Sequence, residues 1–157
     1  MVNMTSVEEG FENVCFAQLR PCLDNIRPLH SIDGFQGLVV DGRLAVPCQS
    51  NIREENWNCI ASVSQCKDNG LYRDIRYSQL SWDFLCQSSP AFVAGKDCWK
   101  SSELEPTLIK CFGPSSNVCE PTCLQERAAK IPGCSTEDAT LLRRLARISM
   151  EGRHATC

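Results

Sequence analysis

The sequence predicts a mainly α-helical, disulfide-rich fold: a bundle of five or six helices with one long loop at about residues 30–47. Three observations lead to this fold class. Twelve cysteines are spread over almost the whole chain of 157 residues. Apolar residues recur every three or four positions in several stretches, which is the period of an amphipathic helix. The length suits one domain and no internal boundary is evident, so we expect residues 1–157 to form a single cysteine-rich helical domain.

The cysteines are interpreted as structural half-cystines. An even number of cysteines along a chain is typical of an oxidising compartment, because a glutathione-buffered cytosol keeps thiols reduced. One native disulfide contributes about 2–4 kcal/mol, and a whole domain is stable by only about 5–15 kcal/mol, so six bonds would rival the net stability. The sequence does not determine which cysteines pair. The twelve are Cys15, Cys22, Cys48, Cys59, Cys66, Cys86, Cys98, Cys111, Cys119, Cys123, Cys134 and Cys157.

The first helix is expected to begin at about Ser6, because Ser6 and Glu9 have the spacing of a capping box. Pro21 lies within its apolar stripe and should end or kink it, since proline removes a backbone donor and clashes with the preceding turn. A short continuation through Ile26, before Pro28, is left open.

Residues 30–47 are expected to form a loop. Gly34, Gly37 and Gly42 lie among short apolar pieces that have no helical period. The pair Asp41-Gly42 favours the turn of a small hairpin. Loops of this length in compact domains are usually functional or mobile, and a tethered surface loop is the simpler interpretation.

The middle of the chain predicts two further helices. The second helix is expected from about Ser50 to Lys67, with Asn69-Gly70 as its C-terminal stop. The third runs from Leu71 to Cys86 and has apolar residues on more than one side, which indicates burial on several faces. Pro90 is expected to end it.

The last third of the chain predicts the remaining helices. A fourth helix begins at Ser102 or nearer Glu105. Ser135 and Asp138 open the last helix, which is acidic at its start and basic later, as the helix dipole favours. Gly152 is expected to close it. The expected ranges are about 105–111, 119–130 and 135–152.

Charge and hydropathy exclude some partners. Sixteen basic and nineteen acidic residues give a formal net charge of −3, whereas nucleic-acid binders usually have a basic excess. No apolar run approaches the roughly eighteen residues that cross a bilayer. Residues 1–9 have neither the basic nor the apolar region of a signal peptide. We expect a secreted, extracellular protein without a membrane span, and a secreted form of this chain would be mature or an incomplete gene product.

No residue set matches a known catalytic or cofactor chemistry, so we predict that the protein is not an enzyme and binds no cofactor. The only histidines are His30 and His154, and no catalytic motif surrounds them. Cys119 and Cys123 could offer two thiolates to zinc, but a structural zinc site needs four ligands. We therefore expect no metal site and interpret this pair as disulfide ends.

Three other features are candidates for binding, each with a simpler explanation. A basic cluster near the C-terminus could contact an anionic partner, although such runs on outer helices are usually only solvated. The tryptophans could line a ligand pocket, although tryptophans beside half-cystines usually pack the core. The triplet at Asn3 matches a glycosylation acceptor. The residues are Arg143, Arg144, Arg147, Arg153 and His154 for the basic cluster, and Trp57, Trp82 and Trp99 for the pocket.

Two C-x6-C segments, followed by Phe92-Val93-Ala94-Gly95-Lys96-Asp97-Cys98-Trp99 and then Leu108-Ile109-Lys110-Cys111, give the chain a resemblance to a known family. From about Cys15 to Cys157 it resembles a family of secreted nematode proteins, the domain of unknown function nineteen. The resemblance implies a secreted helical domain without catalytic activity that acts through extracellular protein partners. It implies no functional residues.

We therefore predict an extracellular, non-enzymatic domain that acts through an unidentified protein partner. The first alternative is a carrier of a small apolar ligand, held between helices by residues such as Trp82, Phe84 and Leu85. The second is a secreted enzyme inhibitor, which would need an exposed rigid loop. The stretch from Gly34 to Gly42 is the best candidate for that loop, and its glycines require an anchor such as Cys48.

Overall fold

Helices dominate the structure, a computed structural model that describes residues 4–111 and 122–153. The predicted class, mainly α-helical and disulfide-rich, is confirmed. One antiparallel hairpin, β1 (Val39–Val40) and β2 (Arg43–Leu44), follows the second helix. The helices are α1 (Met4–Asn25), α2 (Arg27–His30), α3 (Ser50–Ala61), α4 (Gly70–Gln87), α5 (Ser89–Ala94), α6 (Lys96–Trp99), α7 (Leu104–Cys111), α8 (Thr122–Ala128) and α9 (Thr136–Arg153).

The prolines at positions 21 and 90 do not end helices as the sequence predicts. α1 continues past Pro21 to Asn25, so the helix does not end at this proline. Pro21 and Ala17 are both exposed, and water can satisfy the Ala17 carbonyl that proline leaves without a donor. Pro90 does not simply end α4, because it lies in the first turn of α5, where a missing N–H costs nothing.

The second predicted helix is shorter than expected. α3 ends at Ala61, and a 3-10 turn at Ser64–Cys66 replaces its last predicted turns. The expected stop Asn69-Gly70 belongs to the next helix, since the Asn69 side chain accepts a hydrogen bond of 2.9 Å from the Leu71 N–H and caps α4. Asn69 therefore begins a helix, whereas its sequence context predicts a helix end.

The last helix begins as its sequence predicts. The Ser135 hydroxyl accepts a hydrogen bond of 3.1 Å from the Asp138 N–H, and the Asp138 carboxylate accepts one of 2.9 Å from the Ser135 N–H. This reciprocal pair is a capping box. The helix includes Gly152 and extends to Arg153, so it does not close at this glycine. The predicted turn at residues 113–117 lies outside the described residues.

Two disulfides join the two C-x6-C segments. Cys15 bonds Cys66 and Cys22 bonds Cys59. The first cysteine of one segment pairs with the last of the other, as two antiparallel segments require. The repeated spacing is therefore explained by two disulfides that join the same two segments.

Three more disulfides complete the set within the described residues. Cys48 bonds Cys86, Cys98 bonds Cys134, and Cys111 bonds Cys123. The other two cysteines of the sequence, Cys119 and Cys157, lie outside the described residues.

A chain of aromatic rings occupies the centre of the core. Phe84 meets Phe92 edge to face with ring centroids 5.7 Å apart, and Phe92 meets Trp99 at 5.7 Å. Phe35, from the loop before the hairpin, meets Trp99 at 6.1 Å. The Trp99 N–H donates to the Phe92 carbonyl at 2.6 Å, so the buried indole is also satisfied. These contacts fix the loop against the helices.

Candidate functional site

The predicted hairpin is present and is built around a tight two-residue turn. Asp41 and Gly42 both have positive φ, 52° and 75°, between the paired residues Val40 and Arg43. Two successive residues with positive φ characterise the type I′ turn, whose twist matches that of the two strands. The Asp-Gly pair supplies the residue types that tolerate this conformation.

The base of the hairpin is fixed to the helices. Leu38, Val39 and Val46 are buried, and the Ala45 N–H donates to the Leu38 carbonyl at 2.8 Å. Immediately beyond, Cys48 is bonded to Cys86 of α4. Because the apolar base and the disulfide restrain both sides of this segment, the loop is a constrained one despite its glycines.

Trp82 adds a further restraint at the same point. Its side chain is only 1% exposed, and its N–H donates to the Pro47 carbonyl at 2.8 Å. This bond ties α4 to the residue between the hairpin and Cys48. Trp82 is therefore part of the core and of the loop anchor.

The tip of the hairpin is exposed. Val40 is 53% exposed, and Asp41, Gly42 and Arg43 are also exposed. The tip presents one apolar side chain and two opposite charges within four residues. We call these residues, 40–43, the hairpin tip.

A second surface feature is a cleft between α2, α4 and α9, with a volume of about 420 Å³. α4 forms its floor, because it contributes five of the nine lining residues, and residues three or four apart on a helix share a face. α2 and α9 form its walls. The lining residues are Leu29, His30, Asp74, Tyr77, Ser78, Ser81, Leu85, Leu145 and Ser149. We call this feature the α4 cleft.

The α4 cleft has apolar and polar parts. Leu85 is buried and Leu29 and Leu145 are half-buried, whereas Asp74 and Ser149 are exposed. Small serines on the floor, where a core-facing helix would usually carry larger apolar residues, leave the space open. The arrangement suits a ligand with an apolar body and a polar group.

His30 and Ser78 meet in the α4 cleft. The His30 Nε2 lies 3.4 Å from the Ser78 hydroxyl oxygen, so this histidine is not isolated from hydroxyl groups. A serine-histidine catalytic unit also needs a group that orients the other ring nitrogen, and donors for an oxyanion. Within the described residues, the one hydrogen-bond partner of the His30 ring is Ser78, and His154 lies outside those residues.

The residues predicted to line a ligand pocket are only partly at the cleft. Leu85 lines it, but Trp82 is held in the core and Phe84 packs on Phe92. These two aromatic residues therefore do not line the α4 cleft. Ser78 and Ser81 were missed, although their place on the inner face of α4, beside Leu85, was a signal available in the sequence.

Trp57 has a structural partner. The Asp83 carboxylate accepts a hydrogen bond of 2.8 Å from the Trp57 N–H and another of 2.8 Å from the Arg53 Nε. These bonds tie α3 to α4. Trp57 is half-buried. None of the three tryptophans is among the residues that line the α4 cleft.

The arginines of the predicted basic cluster differ in exposure and in their contacts. Arg143 is half-buried and donates to the Gln125 side chain of α8 at 2.7 Å. Arg144 and Arg147 are exposed on α9. The side chain of Arg153 and residue His154 lie outside what the structure describes. Arg143 is therefore used for packing α9 on α8.

Of the two cysteines considered as zinc ligands, Cys119 lies outside the described residues and Cys123 forms a disulfide. Cys123 is bonded to Cys111, so its sulfur is not a thiolate. Within residues 4–111 and 122–153, no group of three or more histidine, cysteine, aspartate or glutamate residues has the geometry to hold a metal ion. In the same ranges, no helix is both long enough and apolar enough to span a bilayer.

No protein-family model, no curated protein and no solved structure matches this chain. The small, helical, disulfide-rich domain is consistent with an extracellular protein, because disulfides persist in oxidising environments. The hairpin tip and the α4 cleft are the two features from which a function can be argued.

Proposed function

We propose that this protein is a secreted, non-enzymatic, disulfide-stapled domain that binds an extracellular protein partner through its hairpin tip. One observation carries the proposal: four exposed residues, 40–43, project from a base that is held by buried side chains and by the Cys48–Cys86 bond. A surface loop of this kind exposes functional groups on a rigid scaffold.

The restraint of the base is what makes the tip suited to binding. Association costs free energy for every loop and side chain that must be ordered, and a loop ordered in advance avoids much of that cost. Val40 offers apolar contact, and Asp41 and Arg43 offer charges that can align a partner.

The proposal is tested with a tip variant and a matched control. The tip variant combines Val40→Ser with Arg43→Ser, and the control combines Ile109→Ser with Arg76→Ser, which removes the same kinds of exposed side chain elsewhere. Each protein is immobilised and exposed to extracellular fluid of its source, and retained proteins are identified by mass spectrometry. We expect a partner that wild type and control retain and the tip variant loses, with affinity then measured on the purified partner.

A partner retained equally by all three proteins would contradict the hairpin tip as the contact. An enzyme inhibitor is one form of the same proposal, in which the tip enters an active site. Inhibition of a protease in a small panel by the wild type and the control, and not by the tip variant, would identify that form.

The α4 cleft favours a second candidate function, a carrier of a small apolar ligand. Its volume of about 420 Å³ lies within the range of ligand sites, and Leu29, Leu85 and Leu145 contribute apolar surface. A neutral fluorescent probe, N-phenyl-1-naphthylamine, should bind the wild type and fail to bind a Ser149→Trp variant, whose indole fills the cleft. Ser64→Trp, an exposed serine away from the cleft, is the control.

A further inference from the structure

We infer that the α4 cleft selects a small protonated amine attached to an apolar body. This inference rests on the second function proposed above, the ligand carrier, and specifies the chemical class of its ligand. It is argued from the charges, the rings and the hydroxyl groups that line the cleft.

The lining has few ionisable side chains. Of the nine described residues that line the α4 cleft, Asp74 is the one carboxylate and His30 is the one basic side chain, and no lysine or arginine is among them. Asp74 is exposed and lies on the floor helix, one turn before Tyr77 and Ser78. A ligand carboxylate there would meet a like charge, whereas an ammonium group would meet an opposite one.

Tyr77 and the hydroxyl groups complement an ammonium group. Residues three apart on a helix are neighbours on its surface, and Tyr77 and Asp74 both line the cleft. The face of a tyrosine ring attracts a cation. An ammonium group has three N–H donors and no acceptor, and Ser78, Ser81 and Ser149 offer hydroxyl oxygens that accept.

The apolar part of the ligand has its own surface. Leu29, Leu85 and Leu145 come from three different helices and are buried or half-buried at the cleft. A body of one aromatic ring or a short alkyl chain can cover them while its amine reaches Asp74. The cleft therefore distinguishes the two ends of such a ligand.

Three probes with the same phenyl body separate the contributions: 2-phenylethylamine, 2-phenylethanol and 3-phenylpropionate. Binding to the oxidised full-length chain is measured by calorimetry or by NMR titration. We expect the amine to bind about tenfold more tightly than the alcohol, because hydrogen bonds to a charged group are the stronger ones. The carboxylate probe should bind more weakly than the alcohol.

Asp74→Asn isolates the role of the carboxylate. This variant should lose the roughly tenfold preference for the amine while its affinity for the alcohol is unchanged. Asp68→Asn removes an exposed carboxylate that does not line the cleft, and it should keep the preference.

The outcomes separate this inference from the function on which it rests. If the alcohol and the amine bind equally, and Asp74→Asn changes neither, the selection of amines is wrong and the carrier function stands. If none of the three probes binds and N-phenyl-1-naphthylamine also fails, both are wrong. Neither result bears on the hairpin tip.

Discussion

At the scale of single residues, Gly95 shows how closely the core is packed. It is buried at the junction of α5 and α6, with a φ of −83° that any residue adopts. A Cβ added there would lie 2.5 Å from Trp99 Cζ2 and 2.6 Å from an Asp138 carboxylate oxygen. Because Gly95 has no side chain, Asp138 at the start of α9 and the Trp99 indole can approach its backbone. Glycine is therefore required here for lack of space and not for its backbone freedom.

We predict that Gly95→Ala lowers the free energy of unfolding by about 1–3 kcal/mol, as overpacking of a filled core does. Urea denaturation followed by circular dichroism measures the change. Gly70→Ala is the control, because an added Cβ at Gly70 meets nothing within 4 Å. Equal stability of the two variants would mean that Trp99 or Asp138 moves away at little cost.

At the scale of elements, the hairpin depends on the conformation of its turn. Gly42 has a φ of 75°, which a β-branched residue adopts only with strain. We predict that Gly42→Val costs about 1–2 kcal/mol and speeds hydrogen exchange of the Ala45 amide, which bonds the Leu38 carbonyl. Gly42→Asn should keep both near wild type, since asparagine tolerates positive φ. Fast exchange in both variants would contradict this account.

The anchor of the hairpin gives a separate prediction. Replacing Cys48 and Cys86 together by serine removes a bond that spans 38 residues, and chain entropy predicts a loss of about 4 kcal/mol. The helices should persist by circular dichroism, while the Ala45 amide exchanges faster. Replacing Cys111 and Cys123 by serine also removes a disulfide, but it should leave the exchange of Ala45 unchanged. Loss of protection in both double variants would mean that the hairpin has no anchor of its own.

Local signals in the sequence predicted local structure well. The Asp41-Gly42 turn, the capping box of Ser135 and Asp138, and the helix over 71–86 are present in the structure. Helix ends were harder to predict, because tertiary bonds decide them. The Ser64–Cys66 turn replaces the end of the second predicted helix, where Cys66 is bonded to Cys15 of α1.

The α4 cleft could not be predicted from any single segment. Its walls come from α2 and α9, and their positions around α4 depend on packing between parts of the chain about 50 to 120 residues apart. The sequence instead suggested Trp82 and Phe84, because large aromatic residues are common in ligand sites. Both are needed within the core, where the indole N–H of Trp82 and the ring of Phe84 have fixed partners.

At the scale of the whole molecule, the five disulfides of the described residues fall into two sets. Cys15–Cys66, Cys22–Cys59 and Cys48–Cys86 crosslink residues 15–86, whereas Cys98–Cys134 and Cys111–Cys123 crosslink residues 98–134. None of these five bonds joins one set to the other. The two sets meet through the packing of α4 on α9, which is extensive and noncovalent. The α4 cleft lies at this junction.

This division gives a prediction about covalent connectivity. Cyanogen bromide cleaves after methionine, and the natural methionines are Met1, Met4 and Met150. The exposed substitution Ala91→Met adds one cut between the two sets. We predict that cleavage without reductant then separates residues 5–91 from residues 92–150, since none of the disulfides in the described ranges crosses residue 91. Mass spectrometry of the unreduced digest measures the separation.

The same digest reports on the last two cysteines. All twelve are expected to be oxidised, and Cys119 and Cys157 lie outside the described residues. If these two bond each other, residues 151–157 will remain attached to residues 92–150 until reduction. Ser64→Met, also exposed, is the matched control. Its cut is crossed by Cys15–Cys66 and Cys48–Cys86, so its fragments should stay joined until reduction. If residues 5–91 and 92–150 stay joined in the first variant, a disulfide crosses the junction, and the two sets are not held together by the backbone and noncovalent packing alone.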